Sequence, residues 1–117
     1  MDHKDLDVWK KGMDLVELVY ATSNAFPSSE RFGLTSQIRR AAVSIPSNIA
    51  EGSARKSDKE ILQFLSIALG SLAEVETQYF IAIRLGFIEK DKALNNLLNE
   101  EKQLLLGFRN YIIKKIS

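Results

Sequence analysis

Apolar residues recur along this chain at steps of three and four, and no segment alternates apolar with polar positions as a half-buried strand does. The pattern therefore predicts an all-α protein with four helical stretches. The first spans about Leu6 to Ala25. Trp9, Met13, Val16 and Tyr20 recur at +4, +7 and +11 and form its expected buried stripe, widened by Val8, Leu15 and Val19, with Lys10, Asp14 and Glu17 on the wet face. Asp5 or Asp7 suits the N-cap, where a carboxylate accepts from free amides. A break follows from Phe26 to Gly33, because Pro27 disfavours helical geometry at Phe26. Phe26 and Phe32 are expected to pin this loop to the bundle.

The second stretch runs from about Leu34 to Glu51, with Ile38, Ala42, Ile45 and Ile49 on one stripe. Small residues at Ala41, Ala42, Ser44, Ser47 and Ala50 would let a neighbouring helix come close. Pro46 sits inside it, lacks the amide proton for the Ala42 carbonyl, and predicts a kink rather than a stop because the periodicity continues. The third stretch opens on Ser57-Asp58-Lys59-Glu60, a capping box, and runs to about Leu85 with Gly86 as the stop. Ile61, Leu65, Ala68, Leu72, Val75 and Tyr79 line its seam, and Leu69, Ala73, Phe80 and Ile83 form a second stripe. The fourth runs from about Lys90 to Lys115, with Leu94, Leu98, Leu105 and Ile112 on one seam and Leu97, Leu104, Phe108 and Tyr111 on the next. Four long helices with short connections predict an antiparallel up-and-down four-helix bundle, one domain over residues 1–117. The third helix is apolar on more than one face, so a second copy of the chain is an expected cover.

Composition narrows the chemistry. Apolar residues make up 45% and charged residues 26%, as in a globular chain rather than a disordered one. There is no cysteine, which excludes disulfides, thiolate metal sites and a cysteine nucleophile. The one histidine, His3, lies at the start of the chain, so histidine-based triads are excluded too. The polar opening and the lack of a long uncharged apolar run predict neither a signal peptide nor a membrane span, and the cytoplasm is the expected compartment. Ser44, Ser47 and Asn48 cluster without a base to activate a hydroxyl, and no phosphate-binding glycine motif occurs. No enzyme activity and no cofactor are expected.

Two acids sit oddly. Glu76 shares its face with Leu69, Ala73, Phe80 and Ile83, and Glu101 lies among Leu97, Leu98, Leu104 and Leu105. A buried unpaired carboxylate is costly, so each should find a partner or reach water. Ion pairs to Arg39, Arg40, Arg84 or Arg109, a subunit contact, or a carboxylate pair for acid–base work or a hard cation are the open readings.

The net charge is +1, but it is unevenly spread: residues 31–60 and residues 90–117 each carry six bases and three acids. Arg39 and Arg40 on the second helix, and Arg55, Lys56 and Lys59 at the turn into the third, are the candidate phosphate contacts, with Lys114 and Lys115 as secondary candidates. A ring of subunits would repeat such a patch and build a field that one copy lacks. An ordinary solvated surface with ion pairs is the competing reading.

The stretch Glu30-Arg31-Phe32-Gly33-Leu34-Thr35-Ser36-Gln37-Ile38-Arg39-Arg40-Ala41-Ala42-Val43-Ser44-Ile45-Pro46-Ser47-Asn48-Ile49-Ala50-Glu51-Gly52 closely resembles the signature of the 23S rRNA intervening-sequence protein family. Leu6-Asp7-Val8-Trp9-Lys10, Phe64-Leu65, Ala68-Leu69-Gly70-Ser71-Leu72 and Glu74-Val75-Glu76-Thr77-Gln78 fit the same pattern, so the resemblance covers about residues 5 to 115. It implies a bacterial up-and-down bundle assembled into a ring-shaped homopentamer, related to the accessory variability determinant of diversity-generating retroelements. It further implies RNA or a ribonucleoprotein as partner, bound through basic surface residues, and carries over no catalytic residue. A scaffold for another protein, such as a polymerase, is the alternative.

Overall fold

Residues 2–116 are described by a computed structural model, and among them lie four α-helices and no strand. Helix α1 spans Asp7–Ser23, α2 Leu34–Ser53, α3 Asp58–Arg84 and α4 Lys92–Ile116, with short 3-10 turns at His3–Asp5 and Ser28–Glu30. Each helix packs on two neighbours, α1 on α2 and α4, and α3 on α2 and α4, with α2–α3 the most extensive contact. The result is an elongated four-helix bundle, 46 × 25 × 21 Å. The antiparallel run is tied at its ends: Asp58 at the start of α3 pairs with Lys115 at the end of α4 at 3.7 Å. No helix among the described residues is long and apolar enough to cross a membrane.

The first seams of α2, α3 and α4 lie where the periodicity puts them, whereas in the second seam of α4 Leu97, Leu104 and Phe108 are half-buried and Tyr111 is exposed. Ile38, Ala42, Ile45 and Ile49 of α2, Ile61, Leu65, Ala68, Leu72, Val75 and Tyr79 of α3, and Leu94, Leu98, Leu105 and Ile112 of α4 are all buried. Helix α1 is rotated from the expectation. Val8, Gly12, Leu15 and Val19 face the core, Trp9 and Val16 are half-buried, and Met13 and Tyr20 are exposed. The physical reason is Gly12: it adds no hydrophobicity to a pattern, yet it sits at the closest approach to α2 and α4. A Cβ there would stand 2.8 Å from Glu101 Oε2 and 3.4 Å from Pro46 Cβ.

The ends are held by specific bonds. Ser57 Oγ accepts from the Glu60 amide at 3.2 Å and opens α3, which is the Ser57 half of the expected capping box. At its far end Gly86 adopts φ +76, the Phe87 amide reaches the Ala82 carbonyl and the Gly86 amide the Ile83 carbonyl, a complete Schellman stop. Asp91 then caps α4 through its side chain to the Leu94 amide, 3.2 Å. The buried Tyr79 hydroxyl accepts from the Asp91 amide at 2.7 Å, so α3 fixes where α4 begins.

Other expectations at the ends are corrected. The cap of α1 is Leu6, with no side-chain hydrogen bond, and neither Asp5 nor Asp7 takes that role; Asp7 lies in the first turn, where its charge suits the dipole. Helix α2 continues through Pro46 to Ser53, and Gly52 lets α3 approach, because a Cβ there would lie 3.0 Å from Phe64 Cβ. Of the two loop phenylalanines only Phe26 is an anchor, buried against Phe87 with ring centroids 6.0 Å apart. Phe32 is 89% exposed.

Candidate nucleic-acid interface

The first turns of α2 form one wall of an open groove of about 690 Å³. Thr35, Ser36, Arg39, Arg40, Val43 and Ser44 line it from α2, Tyr20 from α1, and Arg31 and Phe32 from the loop. Three arginines and two aromatic rings meet there, and no carboxylate lines it. The loop brings Arg31 and Phe32 to this face because Phe26 is pinned in the core and Glu30 Oε1 accepts the Leu34 amide at 3.1 Å, which sets the entry into α2.

Arg39 is a fixed part of this wall. Its Nε donates to Ser23 Oγ at 2.8 Å, its Nη2 to Asn24 Oδ1 at 3.0 Å and to the Tyr20 carbonyl at 3.4 Å. The guanidinium stacks 4.6 Å over the Tyr20 ring. A cation at the last turn of α1, on the Tyr20 carbonyl, complements the negative end of that helix. The Arg39 bonds all go to neutral groups, so its charge stays uncompensated by any carboxylate among the described residues. Arg31 lies 5.4 Å over the Phe32 ring. Arg40 is exposed and also borders a smaller hollow with Gln37, Ser44, Ser71 and Glu74. The Ser44 and Ser71 hydroxyls share a 2.8 Å hydrogen bond, and Asn48 Nδ2 donates to the Ser44 carbonyl and hydroxyl, so this polar cluster stitches α2 to α3.

The five basic residues picked from the sequence fall in two places. Arg39 and Arg40 belong to the groove. Arg55, Lys56 and Lys59 lie past the other end of α2, roughly 20 Å away along the helix. All three are exposed, and Arg55 packs 4.7 Å over the Phe64 ring. Lys114 and Lys115 end α4 on that same side, where Lys115 is paired with Asp58. Acids share this end, among them Asp5, Glu51, Asp58 and Glu60, whereas none lines the groove. Arg31, Phe32 and Tyr20 were not in the sequence-derived set. The adjacent basic–aromatic pair Arg31-Phe32 was the available signal.

The two odd acids part company. Glu76 is half-buried in a small cleft between α3 and α4 with Leu98 and Lys102. Glu101 is fully buried, at a core position of the α4 seam, with its Oε2 against Gly12 of α1, where Pro46 and Ile45 of α2 also converge. Neither of its oxygens has a hydrogen-bond partner, and none of the arginines considered from the sequence reaches it. Burial, then the charge of Asp14, pushes its carboxyl up to about 8, against a smaller opposing effect of Lys11. It is therefore a neutral core acid at pH 7 rather than half of a carboxylate pair with Glu76.

Fold and groove together define a helical-bundle protein with an arginine–aromatic recess. The chain belongs to the 23S rRNA-intervening sequence protein family, which matches residues 4–107. It is similar to a crystal structure of a protein of unknown function from the S23 ribosomal protein family of Bacteroides thetaiotaomicron VPI-5482. That likeness has 25% sequence identity and a TM-score of 0.79, covering 87% of this chain and 97% of the other. No curated protein matches the chain.

Proposed function

We propose that this protein is a non-enzymatic, cytoplasmic, homopentameric bundle that binds RNA, alone or within a ribonucleoprotein, through its basic surface. The groove of Arg31, Arg39 and Arg40 is the main contact, and Arg55, Lys56 and Lys59 form a second. The observation that carries the reading is the convergence of three arginines and two aromatic rings with no lining carboxylate. Phosphate favours such a site electrostatically, and exposed rings offer stacking surfaces. Self-association is supported by the apolar side chains that the bundle leaves uncovered, Ile67, Phe80, Ile81 and Leu85 on the α3 side and Tyr111 and Ile113 on α4.

The test is fluorescence anisotropy with a labelled structured RNA over a salt series, on protein whose mass is set by light scattering. Three neutralised phosphates per subunit give a log–log salt slope of about −2 to −3. Arg40→Glu is expected to weaken binding more than the Arg55→Glu, Lys56→Glu pair, with the fold intact by circular dichroism. No binding at low salt refutes the reading and favours a scaffold for a protein partner. Loss of fold in the charge-reversed variants refutes the site assignment.

A further inference from the structure

We infer that the groove takes an unpaired nucleobase, stacked on the Phe32 ring, with the adjoining phosphates held by Arg31 and Arg40. This rests on the nucleic-acid reading above and names the ligand that reading leaves general.

Two phenylalanines flank the same short loop and meet opposite fates. Phe26 is buried at 7% exposure, while Phe32 stands 89% exposed at the mouth of the groove. The Phe32 ring contacts the Arg31 guanidinium at 5.4 Å, a stack that keeps a positive charge beside the ring. The space in front of it, about 690 Å³, is within the roughly 300–1,000 Å³ range of small-ligand pockets. Thr35, Ser36 and Ser44 add hydroxyls able to meet base edges, which carry both donors and acceptors. The far wall is already rigid, because Arg39 is held by three hydrogen bonds and by its stack on Tyr20. That wall needs no further ordering when a ligand enters.

A paired base keeps its faces inside the duplex stack and has none to lay on the Phe32 ring. An unpaired base has a free face, and stacking on an aromatic side chain tolerates any of the four. Arg40, exposed and not ion-paired among the described residues, lies one helical turn beyond Ser36 on the same wall, within reach of a strand leaving the pocket. A protein partner of acidic character would use the arginines but has no need of a bare ring beside them. Aromatic stacking therefore separates a base from a carboxylate-rich peptide.

The experiment uses the full chain and a 12-nucleotide RNA carrying 2-aminopurine, whose fluorescence is quenched on stacking, as a single strand and as the duplex with its complement. Wild-type protein, Phe32→Tyr and Phe32→Leu are compared, with the assembly mass of each measured by light scattering. The expected result is tighter binding of the single strand than of the duplex, with quenching. Phe32→Leu is expected to lose about tenfold or more in single-strand affinity together with the quench, to leave duplex binding and mass unchanged, and Phe32→Tyr to retain both. Equal single-strand binding by wild type and Phe32→Leu overturns the inference, as does a changed mass in Phe32→Leu, which would place the ring in a subunit contact. Salt-dependent binding without preference for the single strand sinks the base site and leaves the nucleic-acid reading standing. No binding of either form at low salt sinks both.

Discussion

Glu101→Gln removes a titration from the core and offers the sharpest test of how this bundle is held together. Glu101 lies fully buried with no hydrogen-bond partner on either oxygen. The charges facing it come from α1: Asp14 disfavours its ionisation, and Lys11 favours it but is drawn away by Glu100 at 3.0 Å. The α2 side chains that converge with it on Gly12, Ile45 and Pro46, carry no charge. Its carboxyl is shifted from an ordinary value of 4.5 to about 8 in the folded protein. The folded state therefore keeps a proton that the unfolded chain releases. Stability from this group is fully present below about pH 4.5 and declines as pH rises to about 8, where the curve levels.

Each pH unit within that window removes about 1.4 kcal/mol, so the whole window is worth about 5 kcal/mol. That is a large part of the roughly 5–15 kcal/mol that holds a domain of this size. Glutamine keeps the shape and cannot ionise. Urea unfolding followed by circular dichroism at pH 5, 6, 7 and 8 measures the difference between variant and wild type. It is expected to shift in favour of Glu101→Gln by about 4 kcal/mol from pH 5 to pH 8. A difference that stays constant over this range refutes the reasoning and means that the carboxylate is solvated or paired.

Gly12→Ala is expected to cost about 1–3 kcal/mol, because its Cβ meets the Glu101 carboxyl in a packed core. In a Glu101→Ala background the same change should be neutral or stabilising through helix propensity, a coupling read directly from a double-mutant cycle. Tyr79→Phe strands the Asp91 amide at the start of α4 and should cost about 1–2 kcal/mol in chemical denaturation. Gly86→Ala forces a Cβ into left-handed geometry and should lower stability by about 1 kcal/mol, seen as a lower melting temperature. Arg39→Ala removes three hydrogen bonds and the Tyr20 stack, so it should lower both stability and RNA affinity, whereas Arg40→Ala should lower affinity alone.

Much of the bundle is readable one helix at a time. The seams of α2, α3 and α4 follow from apolar spacing, the Ser57 cap from a hydroxyl that accepts an amide three residues on, and the Gly86 stop from a residue with no Cβ to oppose a positive φ. Helix α1 resists that reading because its contact residue is a glycine, and a missing side chain leaves no trace in a hydrophobic pattern. Glu101 sits where the α4 seam calls for an apolar residue, between Leu98 and Leu105. Its position is legible; its lack of a partner is not, because that depends on which residues three other segments bring near it. The basic candidates and their division between α2 and the turn into α3 are legible as charge, but not the recess that gathers Arg31, Phe32 and Tyr20 around the first pair.

By itself the sequence determined what local spacing can encode: four amphipathic helices, their order, most of their buried faces and several of their ends. The tertiary structure alone decided which side chains from distant segments meet. It set Gly12 against Glu101 and Pro46, joined Arg39 to Ser23 and Asn24 across α1 and α2, and left Phe32 bare while burying Phe26. Helix periodicity is a short-range property of one segment, whereas a groove or a buried charge is created by the relative placement of several, which no single segment specifies.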